Sequence, residues 1–167
     1  MAHPTKARSY EYAVPFTDFA SLAKLSGLEI LQRIMANEIP APPIAATLGF
    51  ALVEAAKGSA VFAGTAADWQ YNPLGSVHGG WISTLLDSAL ACAVHSTLAP
   101  GQIYTTLDLH VRFVRAVVAT SGLLRAEATV LHPGRRVATS EGKLVGADGT
   151  LYATATTSCL VMDQPAR

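Results

Sequence analysis

Apolar and polar positions change their period along the chain, and each change marks an element. Residues 1 to about 20 carry no regular period and predict a loosely held arm. From Leu22 the apolar residues Leu22, Leu25, Leu28, Leu31, Ile34 and Met35 recur at three- and four-residue spacing. That pattern predicts an amphipathic helix, with Gly27 as a point of interruption and Pro40, Pro42 and Pro43 as its stop. Two strand-like runs follow, Phe50 to Ala56 and Ala60 to Thr65, joined at Lys57-Gly58 as a hairpin, and Asp68 to Gly75 reads as a loop.

A second helix is predicted from His78 to His95, closed off by Pro100-Gly101. Beyond it the period becomes two. Ile103, Thr105, Leu107, Leu109, Val111 and Phe113 alternate with Tyr104, Thr106, Asp108, His110 and Arg112, as in a long strand with one buried face. On this alternation the odd positions pack on the helix and the even ones face away. Leu123 to Leu131 meets Arg136 to Val145 across His132-Pro133-Gly134, and Asp148-Gly149 turns into Leu151 to Met162. Consecutive hairpins imply an antiparallel sheet. The expected class is α+β, a long central helix wrapped by five or six strands, with an extra N-terminal helix. Residues 1–42 form the arm and first helix, and residues 43–163 the main domain.

Composition narrows the function classes. Twelve basic and twelve acidic residues leave no cationic excess for a phosphate backbone, so nucleic acid is not an expected partner. Half the residues are hydrophobic and only 14% charged, yet no apolar run is long enough to span a bilayer. Subunit interfaces are the expected use of that surplus. Cys92 and Cys159 form no CxxC pair, the five histidines have no metal-ligand spacing, and no apolar segment follows the cationic N-terminus. The expectation is a cytoplasmic protein without disulfides, metal or cofactor.

The chemistry concentrates in Tyr71 to Asp87, YNPLGSVHGGWISTLLD. Asp87 is a lone carboxylate among Trp81, Ile82, Leu85, Leu86, Ala89 and Leu90, where an unpaired charge is costly. Gly79 and Gly80 open the helix and can offer backbone N–H groups, reinforced by the helix dipole, to a developing oxyanion. A carboxylate base and an oxyanion donor suit acyl-group hydrolysis.

Asn72, then His78-Gly79-Gly80, then Asp87 in Leu-Leu-Asp-Ser-Ala, then Thr105-Thr106-Leu107-Asp108-Leu109 on a long strand, resembles the hotdog-fold acyl-CoA thioesterases, nearest to the phenylacetate-degradation (PaaI-like) branch. The resemblance runs from about residue 42 to 162. It implies roles by position: Asp87 as general base or nucleophile, Gly79 as oxyanion donor, Asn72 orienting water or thioester, and His78 supporting the oxyanion loop. Thr106 matches a Ser or Thr that positions water in some members. The alternation alone leaves Thr106 an ordinary cross-strand threonine and His78 a capping or core histidine. A sister branch using glutamate differs at position 87, and at Ala91 where it carries a hydroxyl.

Gly79 and Asp87 lie eight residues apart on one helix, about 12 Å, too far to act on one carbonyl. The site therefore requires two subunits, a dimer at least, and the composition suits a tetramer. For the CoA portion of an acyl-CoA substrate the candidate contacts are Arg112, Arg115, Arg135 and Arg136, which as turn and strand arginines also read as solvated surface. Trp69, Tyr71 and Trp81 could line an acyl pocket or simply pack. Two other functions are compatible with the same residues, a non-catalytic acyl-CoA-binding module and a hydratase or dehydratase of acyl thioesters.

Overall fold

The computed structural model describes residues 3–164. Four helices, α1 (Phe19–Leu22), α2 (Gly27–Met35), α3 (Pro43–Leu48) and α4 (Gly79–His95), accompany six strands. The strands are β1 (Phe50–Ala56), β2 (Ser59–Thr65), β3 (Gln102–Phe113), β4 (Leu123–His132), β5 (Val137–Gly146) and β6 (Leu151–Asp163). They form one antiparallel sheet in the order β1-β2-β4-β5-β6-β3. The sheet curls around α4, whose Leu85, Leu86, Ala89, Leu90, Ala93 and Val94 are fully buried against it. At about 1.5–3 kcal/mol for each large apolar side chain removed from water, this helix is the main anchor of the core. A buried hydrogen bond, Ser140 Oγ to the Leu90 carbonyl at 3.0 Å, ties β5 to its middle.

The predicted first helix is broken. Ser26 caps α2, its hydroxyl accepting from Glu29 N while Glu29 accepts from Ser26 N, so the helix starts at Gly27 and not at Leu22. Gly27 packs directly on the end of α4, where a Cβ would stand 1.8 Å from the His95 carbonyl oxygen. The proline run holds a further helix, α3, with Pro43 in the first turn where its missing N–H costs nothing. The arm lacks regular structure before α1 but is tethered. Arg8 stacks 3.8 Å over Trp69 and donates to the Ala46 and Thr47 carbonyls, and Lys6 pairs with Asp68.

The long strand also departs from simple alternation. Strand β6 turns Ala153, Ala155, Thr157, Cys159 and Val161 inward without interruption, all of them buried. Their partners on β3 are Phe113, Val111, Leu109, Thr106 and Tyr104, with Leu107 the extra residue of a β-bulge. The odd positions thus face the helix side from Leu109 onward, as expected. Before the bulge the even positions do, and Leu107 is 55% exposed.

Candidate active site

The bulge brings Thr106 and Asp87 together. Asp87 lies midway along α4, half-buried, and its Oδ1 accepts a hydrogen bond from Thr106 Oγ1 at 3.1 Å. The cross-strand reading of Thr106 as an outward residue therefore does not hold. One turn on, Ala91 is buried among Val94, Ala138 and Cys159, and Asp87 is the one acidic side chain on α4.

At the other end of the contact, His78 is the N-cap of α4, and its Nδ1 accepts from Gly80 N at 2.9 Å. Accepting at Nδ1 puts the ring proton of the neutral imidazole on Nε2. Of the two N–H groups expected for an oxyanion, Gly80's is thus used by the cap. Gly79 N–H has no acceptor among the described residues and stands at the positive end of the helix dipole. Phe113, 53% exposed, flanks it, and a Cβ on Gly79 would lie 3.0 Å from the ring. The alternation gave no reason to single out Phe113 as a neighbour of the helix start.

The loop before His78 is built by Asn72. Its Oδ1 accepts from Leu74 N at 2.8 Å and Ser76 N at 3.3 Å, and its Nδ2 donates to Ser76 Oγ at 3.0 Å. Ser76 is a partner that sequence reading passed over. The spacing of an Asx turn, with side-chain oxygen reaching the backbone two residues on, was the signal available. His78 N donates to the Gln70 carbonyl and Val77 N to that of Val117, so the loop is fixed from both sides. Tyr71 and Trp81 serve packing and anchoring, with Tyr71 OH accepting from Ala119 N and Trp81 Nε1 donating to the Leu48 carbonyl.

The candidate arginines are dispersed and exposed. Arg112 projects from the outer sheet face, into an open hollow of about 1280 Å³ that also carries Arg125, Glu127, Glu141 and Lys143. The sheet separates it from Asp87. Arg115 follows Phe113 at the Gly79 end, held by its N–H on the Tyr152 carbonyl. Arg135 and Arg136 border a cavity of about 390 Å³ with Gln102 and Asp163, beside the start of β3, and make no ion pair with described residues. No three His, Cys, Asp or Glu side chains converge on a metal-sized point among the described residues, and no helix there is long and apolar enough to cross a membrane.

Beyond Asp87 the helix side of β3 gathers Cys92, His95 and Tyr104, all partly buried, beside the fully buried Cys159. Burial pushes the Cys92 thiol up to about 12 and drives the Tyr104 phenol and Cys159 thiol upward as well, the Asp87 charge adding to each. His95, its ring tilted against that of Tyr104 at 5.2 Å, is pushed down to about 4 by burial. None of these groups is set up as a nucleophile at neutral pH.

The fold is shared with a phenylacetic acid degradation-related protein of Ralstonia eutropha JMP134, 37% identical, at TM-score 0.70 over 78% of this chain and 98% of that one. The chain belongs to the hotdog-fold thioesterases, in their PaaI-like group. The thioesterase superfamily model matches residues 74–153, which takes in Gly79, Asp87 and Thr106. A mutant of the PaaI phenylacetic acid degradation protein from Thermus thermophilus is 28% identical, with TM-score 0.65 over 71% of this chain and 98% of that one. The E. coli PaaI protein, at 23% identity and TM-score 0.71 over 83% and 95%, shares the fold. No curated protein matches the chain. This hotdog protein is a thioester hydrolase.

Proposed function

We propose that this thioesterase hydrolyses an aryl- or fatty acyl-CoA to the free acid and CoA, with Asp87 as base or nucleophile and Gly79 N–H as oxyanion donor. What carries the reading is Asp87, a half-buried carboxylate in an apolar helix, held through one oxygen by Thr106 at 3.1 Å. The other oxygen is left to meet water or the thioester carbon. Attack on the carbonyl carbon, by water that gives its proton to Asp87 or by Asp87 itself, produces a tetrahedral oxyanion at the Gly79 N–H. Its collapse breaks the C–S bond. A thiol of pKa about 8.5 leaves with little need of a proton donor, so one base and one oxyanion donor suffice. In the direct route the resulting anhydride is then cleaved by water.

On this reading the two groups come from different copies, because about 12 Å of rigid helix separates Gly79 from Asp87. Among the described residues strand β3 ends the sheet with a free edge of 12 residues that includes the exposed Leu107 and Phe113. Pairing two copies along it covers that edge and sets the Gly79 end of one helix toward Asp87 of the other. Arg115, at one end, and Arg135 with Arg136, at the other, then flank the same site and fit the phosphates of CoA.

The test is release of CoA thiol from a panel of aryl and fatty acyl-CoAs, comparing the wild type with Asp87→Asn. A loss of about two or more orders of magnitude in kcat supports the assignment and the panel gives the acyl class. Undiminished release would remove Asp87 from the mechanism. Label from oxygen-18 water entering the protein in a single turnover would select the anhydride route.

A further inference from the structure

Thr106 faces Asp87 only because β3 contains one residue too many, and the bulge has its own fastenings. The inward set on β3 is Tyr104 and Thr106 before it, then Leu109 and Val111 after it. With strict alternation from Leu109 backward, Leu107 would face the helix and Thr106 would point away. Leu107 is the residue the ladder skips, between the pairs Thr106 with Cys159 and Asp108 with Ser158. Added residues break ladder spacing and leave backbone groups short of partners. Here Asp108 and Thr157 supply the missing bonds. Asp108 Oδ1 accepts from Ser158 N at 3.1 Å, and the Thr157 hydroxyl, 2% exposed, donates to the Asp108 carbonyl. The same carboxylate oxygen lies 3.8 Å from the exposed His110 Nε2.

We propose that Asp108, with Thr157, is a positioning residue for catalysis: it clasps the Leu107 bulge in the register that turns Thr106 onto Asp87. The proposal rests on the reading of Asp87 as the reacting carboxylate. Asp108 itself does not touch the reacting atoms. Its side chain acts on the neighbouring strand, and its effect on turnover passes through Thr106.

Asp108→Ala removes the acceptor for Ser158 N–H, whereas Asp108→Asn keeps an oxygen in its place. The expected result is a kcat roughly 10- to 100-fold lower for Asp108→Ala, the range for losing one hydrogen bond to a charged group, with KM little changed. Asp108→Asn should recover most of it. In a Thr106→Val background, Asp108→Ala should cost nothing further, since both changes remove the same bond. Thr157→Val, which keeps shape and drops the buried hydroxyl, is the second variant should Asp108→Ala unfold, and its kcat should fall in the same direction. A crystal structure of whichever variant folds should show Thr106 Oγ1 beyond hydrogen-bond reach of Asp87. Unchanged kcat, or multiplicative losses with Thr106→Val, or Thr106 still seated on Asp87 in that structure, would overturn the proposal. Asp87→Asn measured alongside separates the two readings. If it retains activity the catalytic assignment falls, while the crystal structure still decides whether Asp108 holds the bulge.

Discussion

Gly79→Pro deletes the proposed oxyanion donor, putting Cδ in place of its hydrogen, without disturbing the start of α4. Proline is at home in the first position of a helix, where its missing N–H would be unpaired in any case, and Gly79 is that position in α4. The residue before it, His78, has φ −63° and ψ 135°, the extended region that a following proline requires. Gly79 N–H bonds to none of the described residues, so its removal forfeits no internal hydrogen bond. The added Cβ meets Phe113 Cζ at 3.0 Å, and that ring, 53% exposed, can swing outward by the few tenths of an ångström needed. Gly79→Ala brings the same Cβ while keeping the N–H, so the ratio of the two variants removes the Cβ contribution and reads what happens at the N–H position, where proline puts its Cδ. Removing one oxyanion donor costs about 100- to 1000-fold in kcat, or about 2.7–4 kcal/mol. The assay is CoA thiol release at saturating acyl-CoA, with thermal melting to establish that both variants fold. If Gly79→Pro turned over within about threefold of Gly79→Ala, the N–H of Gly79 would not be the oxyanion donor.

Two further outcomes follow from the charged and buried groups. Replacing Arg135 and Arg136 by alanine should raise KM for acyl-CoA but leave an acyl-pantetheine, which lacks the nucleotide, unaffected; an equal effect on both would remove these arginines from CoA binding. Burial holds His95 at about 4 against 6.5 in the unfolded chain, so the unfolded chain takes up the proton first as pH falls. Its contribution is whole above pH 6.5 and is lost as pH drops through 4, which amounts to up to about 3 kcal/mol at about 1.4 kcal/mol per pKa unit. Urea titrations between pH 7 and 4 should therefore show a steeper loss for the wild type than for His95→Gln, and equal slopes would mean that the imidazole charges freely in place.

Much of this architecture was legible in the chain. The central helix begins one residue after the predicted His78 because that histidine is its cap, and the strands match to within a residue or so since their turns carry Gly, Pro and Asp. What escaped prediction depends on tertiary contacts. Gly27 marks the interruption of the first helix as expected, its place fixed by the Ser26 cap and the His95 carbonyl, whereas α3 is masked by prolines that equally suit a first helical turn. Alternation puts Thr106 on the outward face because it assumes no inserted residue. The insertion at Leu107 is fastened by Asp108 and Thr157, almost 50 residues apart. Alternation already puts Arg112 on the outer face, whereas Arg115, Arg135 and Arg136 carry no periodic signal, and only the fold sets the first just beyond Phe113 and the other two beside the start of β3.

The division of the proposed site between two copies has a consequence that no single-chain mechanism shares. Asp87→Asn and Gly79→Pro each disable both sites of their own dimer, the first by removing the base and the second by removing the donor. In a mixed dimer, one site combines Gly79 from the Asp87→Asn chain with Asp87 from the Gly79→Pro chain, and that site is intact. The other carries both lesions. Random pairing of equal amounts puts half the chains into mixed dimers with one working site in two, so activity should return to about a quarter of the wild-type value. Co-expression of the two variants under different affinity tags, with isolation of the doubly tagged species, raises the expected figure to about half, because each isolated dimer then holds one intact site. Were Gly79 and Asp87 of one chain to serve the same carbonyl, every site in the mixture would carry a lesion and no activity would return. Recovery in the doubly tagged dimer therefore rests on two things, a rigid helix that keeps the proposed donor and base about 12 Å apart, and the proposed pairing of two copies along the β3 edge that would bring them to one another.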